Sequence, residues 1–339
     1  MAIVALNELF ACPRCKEDLS LIGETIVCRN CQLLLKLVNG IPRFVTSKLH
    51  DNFGIQWNTF SKIQLDSFNG STESRDRLLA QSGLSPDFFF QKTILEVGSG
   101  AGRFTEVLLG LGARVVSVDY SSAVDANAET NRVALQEGRL CIAQADIFAL
   151  PLKPRAFDVV LCYGVIQHTG DNVRAIECLW NHVKPGGLLL IDCYQLSFRH
   201  TLPIKYLLRP IMKRLPPLTT LKCASLLCRL LVPIQKKLLR KLGSNGTTSK
   251  RYLRYLVNRS PNSVYPINLW VMDKIGEEVV LAWSILDTFD QWSPVYDQPV
   301  TFRKWEQGIR RFTEMNGGTV VGIASAGHGN VAILRRSAI

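Results

Sequence analysis

Four cysteines stand as two C-x2-C pairs, Cys12 and Cys15 in "CPRC" and Cys28 and Cys31 in "CRNC", with twelve residues between the pairs. Four thiolates at this spacing suit one tetrahedral Zn2+ in a ribbon; two disulfides or two redox pairs are the alternatives. A second stretch with chemical potential is "TILEVGSGAGRF", Thr93 to Phe104. There a short apolar run passes into Gly98, Ser99, Gly100, Ala101 and Gly102. Such a turn lets the backbone come close to a ligand and aims a helix N-terminus at it. Its spacing is G-x-G-x-G, not the G-x-G-x-x-G of a dinucleotide site. Glu96 precedes the first glycine by two positions, and Asp119 follows it by 21, next to Tyr120. An acid at the tip of a second strand is placed to accept hydrogen bonds from two ribose hydroxyls. Asp146 and Ile147 in "QADIF", and Tyr163 and His168 in "CYGVIQHTGD", complete the set. A histidine can take a proton from an acceptor, or it can merely order a loop or cap the helix that begins near Asp171.

These residues need a scaffold, and the hydrophobic pattern predicts one. Thr93–Val97 has strand length, and Phe104, Val107 and Leu108 then recur at helical spacing. A second strand spans Arg114–Val118, a third Leu140–Ala143, and a fourth, Phe157–Cys162, reads as buried on both faces. The fourth would bring Tyr163 to the crevice edge where ligands bind in open α/β sheets. A helix with Val173, Ile176 and Leu179 as its apolar face, a Pro-Gly-Gly turn and a fifth strand follow. Near the end, Thr301 is the N-cap and Gly317 the stop of a helix, before strands at Thr319–Ala324 and Asn330–Arg335. Strands alternating with helices predict an α/β fold with a doubly wound, mostly parallel sheet and an antiparallel closing hairpin.

With these residues in order, the chain resembles a class I S-adenosylmethionine-dependent methyltransferase over residues 90–192 and 273–339. The resemblance implies a Rossmann-like, seven-stranded sheet with S-adenosylmethionine on the turn. Glu96, Gly98, Ser99, Gly100, Ala101, Gly102, Asp119, Tyr120, Asp146, Ile147 and Tyr163 would then contact the cofactor, with Asp146 receiving the adenine amino group. The cofactor's positive charges would make the Glu96 carboxylate useful nearby. His168 would be the base. Residues 7–47, which end in "GIPRFV", resemble the small zinc-binding Trm112-like family, some members of which precede a methyltransferase domain. That resemblance implies a structural zinc. The boundaries expected are a ribbon over 1–47, a helical connector over 48–90 and a methyltransferase domain over 91–339. Ribbon and sheet are expected to have separate cores. In the connector, Phe53, Trp57 and Phe60 form an aromatic stripe suited to core packing, with Gln56 or Trp57 as cofactor contacts.

Composition narrows the partners. Apolar residues make up 47% of the 339, so a large core is available. No run of 18 uncharged apolar residues occurs, so no membrane-crossing helix is expected. The N-terminal "MAIVALNELFACPRC" lacks the basic start and long apolar core of a secretory signal. A cytoplasmic location follows, with peripheral attachment to the inner membrane surface as an addition. The net charge of +12 comes from one place: Cys193–Met272 holds 15 Lys and Arg and no Asp or Glu. Within it, a helical insert over 197–265 has Leu-rich amphipathic pieces that Pro203, Pro210, Pro216, Pro217 and Pro233 should break. The insert suits a lid whose leucines face the sheet, a contact with an anionic membrane surface, or a solvated cap.

Some chemistries lack their residues. "CYGV" has neither the Pro-Pro-aromatic segment used on exocyclic base amines nor the Pro-Cys of cysteine-nucleophile enzymes, and Cys162 reads as a core thiol. The leading expectation is methyl transfer to an oxygen or nitrogen of a small-molecule, glycan-type or lipid-linked acceptor. Ribosomal or transfer RNA is the alternative acceptor, which the basic insert would suit; Tyr206, Tyr252 and Tyr255 are few aromatics for it. A non-catalytic activator of a partner methyltransferase is the third reading. The pattern leaves the oligomeric state open.

Overall fold

Five strands whose residues are apolar on both faces assemble into the centre of the molecule. They are β5 (Thr93–Val97), β6 (Arg114–Asp119), β7 (Leu140–Gln144), β8 (Phe157–Cys162) and β9 (Val183–Cys193). A computed structural model describes residues 9–45, 51–196, 205–242, 276–326 and 329–338, with the side chains of 205–207 excepted. The parallel strands join an antiparallel hairpin, β10 (Gly318–Ala326) and β11 (Gly329–Arg336), in the order β10-β11-β9-β8-β5-β6-β7. This is the expected seven-stranded, mostly parallel sheet. Alternation along each strand supplies two cores. Leu95, Val97, Val116, Val118, Val160, Leu189 and Ile191 face one side. Ile94, Val115, Ile142, Val159, Leu161 and Leu190 face the other.

Helices cover both faces. They are α1 (Asn52–Thr59), α2 (Asp66–Asn69), α3 (Glu73–Ser82), α4 (Arg103–Gly110), α5 (Val124–Thr130), α6 (Arg132–Gln136), α7 (Asn172–Trp180), α8 (Lys205–Met212), α9 (Pro217–Leu242), α10 (Glu277–Trp292) and α11 (Phe302–Met315). The Thr301 hydroxyl accepts from the Lys304 N–H and starts α11, and α7 begins where the Asp171 carboxylate accepts from Arg174 N–H at 3.0 Å. Val173 is 64% exposed, contrary to the expected apolar face; Ala175, Ile176, Leu179 and Trp180 are the buried residues of α7. Phe157 begins β8 on the Trp180 side of the sheet, and that side is what α7 covers.

The N-terminal segment forms its own sheet from β1 (Ser20–Ile22), β2 (Thr25–Val27), β3 (Leu34–Val38) and β4 (Ile41–Pro42), all antiparallel neighbours. The expectation of separate cores fails. Phe10, Leu19, Ile26 and Leu33 pack in one continuous apolar cluster with Leu150, Leu152, Phe157 and Val183. The reason lies in the main sheet's edge. β7 is an edge strand, whose unpaired backbone needs a partner or a cover. Phe44 N–H donates to Gln144 C=O at 2.7 Å, Ala11 N–H to Pro151 C=O at 3.0 Å, and Lys153 N–H to Leu9 C=O at 2.8 Å. Arg43 adds an ion pair to Asp125 at 2.5 Å. A small sheet with little core of its own gains more by sharing the larger one.

The described part of the insert also differs from its pattern. Pro210 lies inside α8 and Pro233 inside α9, so neither breaks its helix; Pro217 opens α9 at its first position. A helix interrupted by one missing N–H continues when flanking turns are held by packing, and α9 is held along α10 by Ala224, Cys228, Val232 and Leu239. Several of its leucines face outward rather than toward the sheet. Pro203, Tyr252 and Tyr255 lie outside the described residues. Among the described residues, α9 is one helix long and apolar enough to cross a membrane by length and composition, contrary to the expectation, because Lys222 and Arg229 stand isolated in its otherwise uncharged first two-thirds.

A shared core makes ribbon and sheet one cooperative unit. Phe10→Ala, at the seam, is expected to cost about 3–5 kcal/mol and to lower a single melting transition recorded by both near-UV and far-UV circular dichroism. Two separated transitions, with the sheet's midpoint unmoved, would refute the shared core.

Candidate functional site

The turn after β5 is built from positive-φ glycines: Gly98 at 78°, Gly100 at 54° and Gly102 at 91°. Space demands glycine as well as backbone. A Cβ on Gly98 would meet Val165 at 2.1 Å, and one on Gly100 would touch the Trp57 indole at 3.0 Å. Gly98 N–H donates to Val118 C=O at 2.7 Å, which docks the turn on the end of β6. The strand-tip acid then closes it. Asp119 accepts from Gly100 N–H at 2.8 Å on one oxygen and from the N–H and hydroxyl of Ser121 at 2.8 and 2.6 Å on the other. Burial pushes the Asp119 carboxyl above its usual range, against the pull of these donors. The Ser99 hydroxyl is buried and reaches no partner among the described residues. Ala101 is buried beside it, and Tyr120 is half exposed at the rim.

Glu96 lies beneath the turn. Its carboxyl is 3% exposed and accepts a hydrogen bond from the Thr105 hydroxyl of α4. Asn127 Nδ2 donates to Thr105 Oγ1 at 3.0 Å and to Ser117 Oγ at 2.8 Å, and Asn131 donates to Asn127 Oδ1 at 2.9 Å. This network ties β5, β6, α4 and α5 together under the glycines. Burial, aided by the neighbouring Asp119 charge and opposed by Thr105, pushes the Glu96 carboxyl up to about 8. At neutral pH it is therefore mostly protonated, and a cation above the turn would favour its ionised form.

Asp146 accepts from Phe148 N–H at 2.9 Å and caps a short turn that buries Ile147. Tyr163 departs from its expected place. Its ring turns into the core against Phe104 at 5.6 Å, with the Arg77 guanidinium 5.9 Å above it, because Tyr163 shares with Val159 and Leu161 the face that packs on Phe104 of α4. Arg77 in turn pairs with the buried Asp192 at 2.7 Å.

His168 sits where the loop after β8 meets α1. Its ring packs on Phe53 at 5.2 Å and edge-on to Tyr194 at 5.5 Å. Nδ1 lies 3.0 Å from the Tyr296 carbonyl, which can only accept, so in the neutral ring Nδ1 carries the proton. Nε2 is then an acceptor, buried and without a partner among the described residues. His168 does not cap α7; Asp171 does.

Tyr194 and Asp290, beside His168, carried no expectation from the sequence. Asp290 of α10 accepts from Gln56 Nε2 at 3.2 Å and from the Tyr194 hydroxyl at 3.3 Å. One turn away, burial and the Asp290 charge push the Asp287 carboxyl well above the usual range. The signal in the sequence was two carboxylates three apart in the otherwise apolar "WSILDTFDQW". The stripe of α1 divides among neighbours: Phe53 goes to His168, Trp57 to Gly100, and Phe60 to the α9 cluster. The turn, His168, Tyr194 and Asp290 thus gather past the carboxyl ends of β5, β6, β8 and β9, under α1 and α10.

The four N-terminal cysteines are brought together elsewhere. Their sulfurs lie within 4.8 Å of one another, with Cys12–Cys31 and Cys15–Cys28 each at 3.4 Å, and all are free thiols. Tetrahedral zinc with bonds near 2.3 Å requires sulfurs about 3.8 Å apart, so the cluster could hold one ion.

Known proteins resemble part of this chain. Residues 95–191 match the methyltransferase domain model. A ubiquinone biosynthesis O-methyltransferase of Paraburkholderia phytofirmans is 31% identical over 99 residues, covering 28% of this chain and 41% of that one. One from Coxiella burnetii is 30% identical over 108 residues, covering 32% and 46%. The chain thus spans less than half the length of these curated relatives. The crystal structure of magnesium protoporphyrin IX methyltransferase from Synechocystis PCC 6803, with bound SAH, superposes over 85% of this chain and 98% of that one at 15% identity and a TM-score of 0.43, too loose a likeness to bear on function. The glycine turn closed by a strand-tip acid, inside a segment that matches that family model, makes residues 95–191 a methyltransferase domain of the class I, S-adenosylmethionine-dependent type.

Proposed function

We propose that this chain transfers a methyl group from S-adenosylmethionine to an oxygen or nitrogen of a small-molecule, glycan-type or lipid-linked acceptor, with oxygen preferred. The observation that carries the reading is His168, whose Nδ1–H is engaged by the Tyr296 carbonyl and whose buried Nε2 has no partner among the described residues. The relatives named O-methyltransferases support oxygen as the acceptor atom.

The residues of the turn fit the cofactor: among the described residues the Ser99 hydroxyl is an unused buried donor, and a side chain at Gly98 or Gly100 would fill the space beside the turn. When bound, S-adenosylmethionine supplies an electrophilic methyl group on a sulfonium. Asp119 keeps the turn closed and offers its carboxylate to hydroxyl groups. Trp57 lies over Gly100 and must yield part of that surface to the cofactor. The acceptor's oxygen is held against His168 and the Tyr194–Asp290 pair. His168 Nε2 takes the acceptor's proton as that oxygen takes the methyl group, so charge does not build up on the oxygen. An RNA acceptor would rest on the basic insert, whose long helix α9 contains no aromatic side chain to stack on a base.

Cell fractions (small-molecule, lipid and RNA) incubated with protein and methyl-labelled cofactor test the reading. Label should enter the first two, and His168→Gln should slow transfer by about 100-fold or more while calorimetric affinity for the cofactor stays put. Asp119→Asn should weaken that affinity by about 1–3 kcal/mol. Label in RNA alone would overturn the acceptor class, an undiminished rate would remove His168 as base, and cofactor binding with no labelled fraction would favour the activator role.

Glu96 makes a pH prediction with a definite sign. In the fold it holds its proton up to about pH 8, against 4.5 ordinarily, so the folded state binds the extra proton in that window. Its stabilisation is complete below the lower value and is lost as pH rises through the upper one. The cofactor-free protein should therefore melt lower at about pH 9 than at about pH 6, and Glu96→Gln should shrink that difference. An equal loss in both proteins would mean that Glu96 ionises normally.

The cysteine cluster is proposed as a structural zinc site. Metal analysis should find one zinc per chain, and Cys28→Ser should release it and depress the melting of the whole chain, since Cys28 lies in the shared core. A metal-free protein of undiminished stability would end that assignment.

A further inference from the structure

Helix α9 has two faces of different character. The inner face, with Thr220, Ala224, Cys228, Val232, Gln235 and Leu239, is buried. The outer face carries Leu218, Leu226, Leu230, Ile234 and Leu238, with Leu226 at 63%, Leu230 at 60% and Ile234 at 54% exposure. Steps of four along a helix place these side chains in one ridge. Lys222 stands in the same ridge, and Arg229, Lys237 and Lys241 lie beside it, all exposed. On α8, exposed Ile211 with Lys213 and Arg214 repeats the pairing of apolar and cationic side chains.

Water alone does not account for this face, because five large apolar side chains in a row gain nothing from solvent. A second copy of the chain would set each cationic face against another, and no acid between Cys193 and Met272 is there to compensate. RNA would meet the cations but not the leucines. An anionic bilayer answers both features: phosphates for the Lys and Arg heads, the acyl boundary for the leucines.

We propose that the outer face of α9 docks the protein on an anionic lipid bilayer, with the helix lying in the interface plane. Its 26 residues are long and apolar enough to span a membrane. Spanning would strip the inner face from α10, where Cys228 Sγ bonds Thr288 Oγ1 at 3.3 Å and Val232 and Leu239 are buried against Val280 and Ile285. It would also draw Lys222 and Arg229 into hydrocarbon. Lying flat keeps that packing and lets the cations reach the headgroups. This contact is independent of the acceptor, and it is read without cofactor.

The test is co-sedimentation of the full chain with phosphatidylcholine vesicles, with and without about 30% phosphatidylglycerol, at low and high salt. The wild type should bind only the anionic vesicles, and salt should weaken binding. Lys222→Gln/Arg229→Gln/Lys237→Gln/Lys241→Gln should lower the partition coefficient by about tenfold or more. Leu226→Gln/Leu230→Gln/Ile234→Gln should do so at both salt concentrations, a loss that charge attraction alone would not show. Unchanged melting midpoints certify that the variants are folded. The proposal is overturned if the folded wild type ignores anionic vesicles, if the leucine variant binds as the wild type does, or if sedimentation velocity shows that the leucines instead hold a dimer.

Discussion

The hydrogen bond from Gly100 N–H to the Asp119 carboxylate, 2.8 Å long, joins the turn after one central strand to the tip of the next. It requires two adjacent parallel strands in fixed register, Val97 opposite Val118, and a turn that only glycine can make in the space available. Once the loop is fixed this way, α4 starts at Arg103 with its N-terminus at the strand ends, and Thr105 comes within reach of Glu96. The polar network under the turn is therefore a consequence of the turn's geometry. Every group in it is buried, so each must find a partner inside. That demand makes Glu96, Thr105, Ser117, Asn127 and Asn131 a single rigid block beneath the ligand surface.

A parallel sheet leaves two edges, and this chain treats them differently. The β9 side is extended by the antiparallel hairpin β11-β10. The β7 side is covered by the small N-terminal sheet, which uses backbone hydrogen bonds to residues 144, 151 and 153 and a continuous apolar seam. The cover explains how the cysteine cluster bears on the methyltransferase domain. An ion held by Cys12, Cys15, Cys28 and Cys31 would stabilise the piece that closes the sheet.

The strand ends are roofed by α1 and α10, and this roof fixes the side chains that gather there. Gln56 and Tyr194 both donate to Asp290, Phe53 and Tyr194 fix the plane of His168, and the Tyr296 carbonyl fixes its tautomer. None of these contacts is local in sequence: Gln56 and Asp290 are 234 residues apart. The helix that packs behind α10 is α9, so the roof and the leucine ridge are two sides of one helical layer.

Much of this was legible in the sequence where local chemistry is decisive. Apolar runs of strand length, glycines at alternate positions, an acid at a strand tip and paired C-x2-C knuckles each constrain a few neighbouring residues, and the strands and helices fall where those patterns place them. Glu96, the turn, Asp119 and the four cysteines were singled out for that reason. What only the tertiary structure decided depends on surfaces that meet across long separations. Phe10 joining the main core, Tyr163 turning away from the crevice, Asp290 binding Gln56 and Tyr194, and α9 keeping its prolines while exposing its leucines all follow from which face meets which. A hydrophobic pattern states that a face will be buried without stating against what. A carboxylate in an apolar helix signals a partner without naming it, because the partner is supplied by packing and not by spacing.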